Sequence, residues 1–208
     1  MLTNLSRSTR RTFFTLVVSI TLITFLFAFA PTSNLAMQVK RYVIQPDSIA
    51  GKDTFYGTSY YQNGKPDYEE LWFGGWGDTY YSFIDFDLSG SPDQYKAIEV
   101  RLECYSPYIG PNDPDLQLWR ITGSWSENAV TIYNQPPAKF FSNLPPVNLG
   151  WNSYDVTRLY LLWKKDPSKH FGFKFVAQNN NNTRGSFQSS DNMINPDRRP
   201  RLVITYWE

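Results

Sequence analysis

Five carboxylates crowd one stretch of the chain: Glu69, Glu70, Asp78, Asp85 and Asp87. Acids facing each other across a cleft hydrolyse glycosidic bonds, at separations of about 5 Å or about 6.5–9.5 Å. The sequence supplies the acids without making them converge, since Glu69 and Glu70, as neighbours on a strand, point to opposite faces. Other hydrolytic machinery is scarcer. The chain has one histidine, His170, and one cysteine, Cys104. No Gly-x-Ser-x-Gly turn presents a serine to that histidine. A single cysteine forms no internal disulfide, and one histidine cannot build a Cys/His zinc site. No catalytic residue is assigned, and the chain reads as a binder rather than an enzyme.

Binding chemistry has better candidates. Sugar recognition needs flat aromatic faces for pyranose C–H groups, with polar side chains at the rim for hydroxyls. Trp72, Trp76 and Tyr80 fall together in "LWFGGWGDTYYS", with Trp76 between Gly75 and Gly77. A loop tryptophan is costly to leave in water, so Trp76 either stacks on a ligand or folds back onto the core. Tyr60, Tyr61 and Tyr68 extend the same surface, with Lys65, Asp67 and Arg184 as polar partners. For a metal, the loops "PNDPD" (Asn112, Asp113, Asp115) and "SSDNMINPD" (Asp191, Asn192, Asp197) offer acids and amides of the kind calcium takes. Neither has EF-hand spacing, and solvated turns explain the same composition. A structural calcium is the one cofactor to consider.

The elements that would position these residues are strands. Aromatic residues make up 17% of the chain, beside 14 prolines and 12 glycines, a mix that favours short strands and tight turns. In "AIEVRLECYS" Ile98, Val100, Leu102 and Cys104 alternate with Glu99, Arg101 and Glu103, so Cys104 reads as a buried, unreactive thiol. "YYSFIDFDLS" puts Ile84, Phe86 and Leu88 on one face, with Phe83, Asp85 and Asp87 on the other. "DLQLWRIT", "FGFKFVA" and "RLVITYW" are further strands, separated by turn formers. One segment departs from period two. "YDVTRLYLLWKKDP" sets Val156, Leu159, Leu162 and Trp163 at helical spacing, with Asp155 to cap the first turn and Asp166-Pro167 to stop it. About ten strands and one amphipathic helix predict an all-β fold, an antiparallel β-sandwich of jelly-roll type.

The order of motifs then becomes recognisable. "WFGG", "YYSFIDFDLSG", "AIEVRLECY", "WSENAVTIYNQPP", "YDVTRLYLLW", "HFGFKFVAQ", "GSFQSSD" and "RRPRLVITYW" follow one another from about residue 40 to 207. The series resembles the DNRLRE domain, also described as a disaggregatase-related, carbohydrate-binding-module-96-like β-sandwich. The resemblance implies a non-catalytic jelly-roll module of secreted or surface proteins, some of which bind acidic polysaccharides. Two positions depart from the pattern. Asp85 stands where the family often has a basic residue, which removes a contact for a uronate carboxylate, and Ile132-Tyr133-Asn134 replaces a tryptophan-asparagine pair. "GSWSENAVTIYNQPP" then reads as a shared corner of the fold. Trp125 would pack into the core, Thr131 and Asn134 would bond backbone, and Pro136-Pro137 would end a strand.

Residues 1–36 read as an address. Arg7, Arg10 and Arg11 precede an apolar run from Phe13 to Ala30, the pattern of a signal peptide or an uncleaved signal anchor. The domain proper would occupy residues 38–208. Without residues 1–36, 17 of the 20 basic residues remain against 19 acids, and no basic block points to a nucleic acid. The sequence predicts a secreted or membrane-tethered, non-catalytic module whose partner is a polysaccharide or cell-surface glycan. Any membrane contact would run through the N-terminal segment alone. The alternative is a structural or adhesive module of the cell surface or extracellular matrix without a glycan site.

Overall fold

A computed structural model describes residues 37–208, so the predicted N-terminal signal or anchor lies outside the described residues. Eleven strands make up most of the chain: β1 (Val39–Ile44), β2 (Lys52–Gly57), β3 (Glu70–Phe73), β4 (Tyr80–Asp85), β5 (Ala97–Ser106), β6 (Leu116–Ile121), β7 (Ala138–Asn143), β8 (Gly150–Asp155), β9 (Phe173–Ala177), β10 (Gly185–Gln188) and β11 (Arg201–Trp207). A nine-residue helix, α1 (Thr157–Lys165), joins β8 to β9. All pairings are antiparallel. One sheet runs β1-β11-β5-β8 and the other β2-β4-β9-β6-β7. A short ribbon, β3–β10, is tied to the first sheet by a bridge between Tyr108 and Ser186 and to the second by one between Gly74 and Tyr80. The result is the all-β sandwich that the alternation predicts. Among the described residues no helix is long and apolar enough to cross a membrane.

Strand β5 shows how alternation becomes a core. Val100, Leu102 and Cys104 are fully buried, while Arg101, Glu103 and Tyr105 lie partly exposed between them. Burial pushes the Cys104 thiol well above the usual thiol range. Ile98 breaks the expected face and is exposed, because the β5–β11 register shifts between Thr205 and Tyr206 and leaves it outside the regular pairing. Leu71, Phe73, Ile84, Phe175, Phe187 and Ile204 complete much of the main core.

Strands β2, β4 and β9 of the second sheet are buried on both faces, which single-strand alternation does not reveal. Phe83, expected on the wet side with Asp85, is fully buried with Tyr56, Ile121 and Val130 in a smaller outer cluster. The "GSWSENAVTIYNQPP" corner forms its lid. Trp125 lies against Phe83 at 5.8 Å and donates its indole N–H to the carbonyl of Phe171 at 2.7 Å, so it packs on this outer cluster and not in the main core. Thr131 Oγ1 accepts from the backbone N–H groups of Tyr133 and Asn134, and the Asn134 amide donates to the Ala129 carbonyl. Pro136 and Pro137 precede β7 and do not end a strand.

Helix α1 buries Leu159, Tyr160 and Trp163, next to its buried cap residue Val156. Tyr160 takes the place that spacing had given to Leu162, which is only partly buried. Asp155 sits one residue ahead of the cap position, and its carboxylate accepts from the Thr157 hydroxyl at 2.7 Å and the Thr157 N–H at 2.9 Å. Those two bonds hold the Asp155 carboxyl below its ordinary value.

Candidate functional site

Phe55 on β2 is the hub of an aromatic cluster at the β3 end of the sandwich. Trp72 stacks on it at 5.3 Å with an interplanar angle of 23°, while Tyr61 and Tyr68 meet it edge-on at 5.9 and 5.4 Å. Tyr61, Tyr68 and Tyr80 also abut the Trp72 ring edge-on, at 5.4, 5.8 and 5.3 Å. These edge-to-face contacts help to fix Trp72. Its indole N–H reaches Glu70 at 3.3 Å.

Arg184, between the polar loop 178–183 and β10, places its guanidinium over this cluster. It lies 4.3 Å from the Trp72 ring centre, 4.1 Å from that of Trp76 and 5.4 Å from that of Tyr108. Such stacking leaves the N–H fork at the edges of the sandwich, where it is available as a donor. Among the described residues no carboxylate forms an ion pair with Arg184. Trp76 is 53% exposed yet fixed, its indole N–H donating to Asn182 Oδ1 at 2.7 Å. Its own backbone N–H donates to Asp78 Oδ1 at 3.0 Å. Loop tryptophan and loop arginine thus stabilise each other, a third outcome beyond ligand stacking or collapse onto the core.

The glycines explain how the two loops come so close. Gly74 has φ +73, and a side chain there would strike the carbonyl of Thr183. Thr183 N–H donates to the Gly75 carbonyl at 2.8 Å, its hydroxyl accepts from Gly75 N–H, and Gly77 N–H donates to the Asn180 carbonyl at 2.9 Å. On its other flank Trp76 lines a hollow of 450 Å³ with Ser59, Tyr60, Gly77, Asp78 and Tyr80. Tyr60 is 71% exposed there.

The structure thus gathers Trp72, Trp76, Arg184 and Tyr68, but in unequal roles. Tyr80 is 3% exposed and offers no ring face to a ligand, so the expected three-ring platform is not formed. Burial, then hydrogen bonding and charge from Asp78, push its hydroxyl above the usual phenol range. Trp72 stands between Phe55 and Arg184, which take its ring faces. Lys65 joins the cluster through Tyr61, with its ammonium 5.1 Å over that ring. Tyr108 and Asn182 complete the site, though neither carried a signal in the sequence.

The acids have local partners. Asp85 bridges Lys52 Nζ and His170 Nε2, each at 3.0 Å, and these partners hold its carboxyl low although burial pushes it up. The residue that replaces a basic one in the family pattern is therefore an internal clamp between β2, β4 and the turn before β9. Asp87 accepts from Ser89, and Asp78 closes the Trp76 turn. Asp113 Oδ1 accepts from Asp115 N–H at 2.9 Å. Asp191 is pushed up to about 6 by burial and by Asp67, with Arg199 opposing. Among the described residues no group of three or more His, Cys, Asp or Glu is arranged to hold a metal ion.

An antiparallel sandwich that fixes two tryptophans with a guanidinium stacked between them at one end has the build of a binding module. The family model of carbohydrate-binding module family 96 matches residues 50–206, and the chain belongs to that family. A comparison with curated proteins finds no match.

Proposed function

We propose that the domain binds polysaccharide without chemistry, through Trp76, Arg184 and the hollow beside them, as a secreted or membrane-tethered module. The observation that carries this reading is the Arg184 guanidinium held between two tryptophans with no carboxylate partner among the described residues. Arg184 supplies directed donors for sugar hydroxyls or a carboxylate, and Trp76 with Tyr60 supplies the apolar surface for ring C–H groups. Asp78 and Ser59 stand at the rim of the same hollow for further hydroxyls. The family supports a carbohydrate ligand. The arginine cluster and apolar run within residues 1–36 support export. Support for a non-catalytic role comes from the local engagement of Asp78, Asp85 and Asp87 described above.

Affinity electrophoresis against neutral and uronic-acid polysaccharides tests the proposal. Retention on at least one polymer, lost in Trp76→Ala and Arg184→Ala at an unchanged melting temperature, is expected. Equal mobility of wild type and both variants on every polymer tested would leave the adhesive, glycan-free alternative standing.

A further inference from the structure

Helix α1 leaves part of its apolar surface uncovered, since Leu161 and Leu162 pack against the core yet are only partly buried. Leu159, Tyr160 and Trp163 face inward beside the cap residue Val156, and a flanking stripe at helical spacing carries half-buried Leu161 and Leu162 with exposed Arg158 and Lys165. That stripe forms one wall of a 730 Å³ groove, within the range that holds small molecules. The opposite wall comes from the sheet edge, where Phe140 and Phe141 on β7 follow Lys139, itself paired across the ladder with Arg120 on β6. Phe140 is 52% exposed. The groove therefore has a leucine and phenylalanine floor and four cations on its rim.

Among the described residues no carboxylate lines the groove. Among the described residues none of Arg120, Lys139, Arg158 and Lys165 has an ion-pair partner. Of the acids next to the lining in sequence, Asp166 is taken by Lys169 at 2.8 Å, and Asp93 accepts from the Gln94 backbone. Uncompensated like charge around an apolar trough points to an occupant with the opposite sign and a greasy body. A pyranose chain fits poorly, since its hydroxyls would face leucine methyls with no partner. The chain's own residues 1–36 carry three arginines and no acid, so charge disfavours them as well.

We propose that this groove binds an anionic amphiphile, its acyl chain along the Leu161, Leu162 and Phe140 floor and its carboxylate or phosphate head among the rim cations. Because the lining is concave, the occupant is a single amphiphile rather than a bilayer surface. The site lies on residues distinct from Trp76 and Arg184, and it stands whether or not those bind glycan.

The test titrates the full-length chain with dodecyl phosphate below its micelle concentration, following the methyl signals of Leu161 and Leu162. Saturable shifts of those signals are expected. Affinity should fall about tenfold or more in Arg158→Glu/Lys165→Glu, two exposed positions, and stay unchanged in Trp76→Ala. If the helix variant loses its fold, Arg120→Gln/Lys139→Gln probes the same rim from the sheet side. The proposal is overturned by non-saturable shifts, or by equal affinity in the rim variants. It is equally overturned by binding only to phosphatidylglycerol vesicles, or by an oligouronate moving the same signals at lower concentration.

Discussion

Replacing Asp53 by Asn should make the domain more stable at neutral pH, against the usual direction of core substitutions. Asp53 is 2% exposed on β2. Its Oδ2 accepts from the Ser190 N–H at 2.8 Å, and its Oδ1 has no partner among the described residues. Burial pushes the carboxyl from 3.8 up to about 7, against the Ser190 hydrogen bonds and with help from Asp191 and Glu127. In the unfolded chain it titrates near its ordinary value, so between about pH 4 and 7 the unfolded state releases a proton that the folded state keeps. Stability therefore falls as pH rises through that window and stays low above it. Three pH units correspond to about 4 kcal/mol at most. Glu127 and Asp191, also raised, act in the same direction. Carboxyls held low, such as Asp155 through Thr157, act the opposite way, losing their contribution as pH falls below 3.8. The maximum should lie near pH 4–5. Urea unfolding followed by tryptophan fluorescence, from about pH 4.5 to 8, reads this directly. Wild type should lose a few kcal/mol across the range. Asp53→Asn should lose much of that slope and exceed wild type at pH 8. A flat wild-type profile, or an unchanged slope in the variant, would refute the argument.

Trp125→Ala should cost about 3–5 kcal/mol, because it uncovers the outer cluster and removes the bond to Phe171, yet any polysaccharide affinity should survive in the folded fraction. Urea unfolding with affinity electrophoresis separates the two effects. Gly74→Ala combines a positive φ with a clash against Thr183, and should destabilise by about 1–3 kcal/mol while loosening the Trp76–Arg184 contact. Near-ultraviolet circular dichroism should register that loosening. Cys104 should resist a thiol reagent at neutral pH in the native domain and react at once in urea, since burial keeps its thiol protonated. Comparable rates in both states would contradict its place in the core.

Much of the fold was legible because alternation has a simple physical cause. Val100, Leu102 and Cys104 face inward because one side of β5 meets the core and the other meets water. The same rule failed for Phe83, where a distant loop covers the second face, and no local pattern encodes that cover. It failed for Ile98 because a register shift depends on the partner strand. Helical spacing identified α1 but put Leu162 ahead of Tyr160, which is fully buried because its hydroxyl finds a partner in Ser91, far off in the sequence. The candidate site was half legible. Glycine-flanked tryptophan marked Trp76, but its partnership with Arg184 depends on the close approach of two loops over Gly74. Tyr80 was misplaced because an aromatic after a loop can cap the core as readily as face solvent.

The most direct test of glycan recognition at this edge is the indole N–H resonance of Trp76, which Asn182 holds in the free protein. During titration with a polysaccharide that retards the protein in gels, that resonance should shift saturably. The indole signals of Trp125 and Trp163, bound into the outer cluster and the core, should stay in place. A Trp76 signal that stays fixed while the polymer binds would contradict the account.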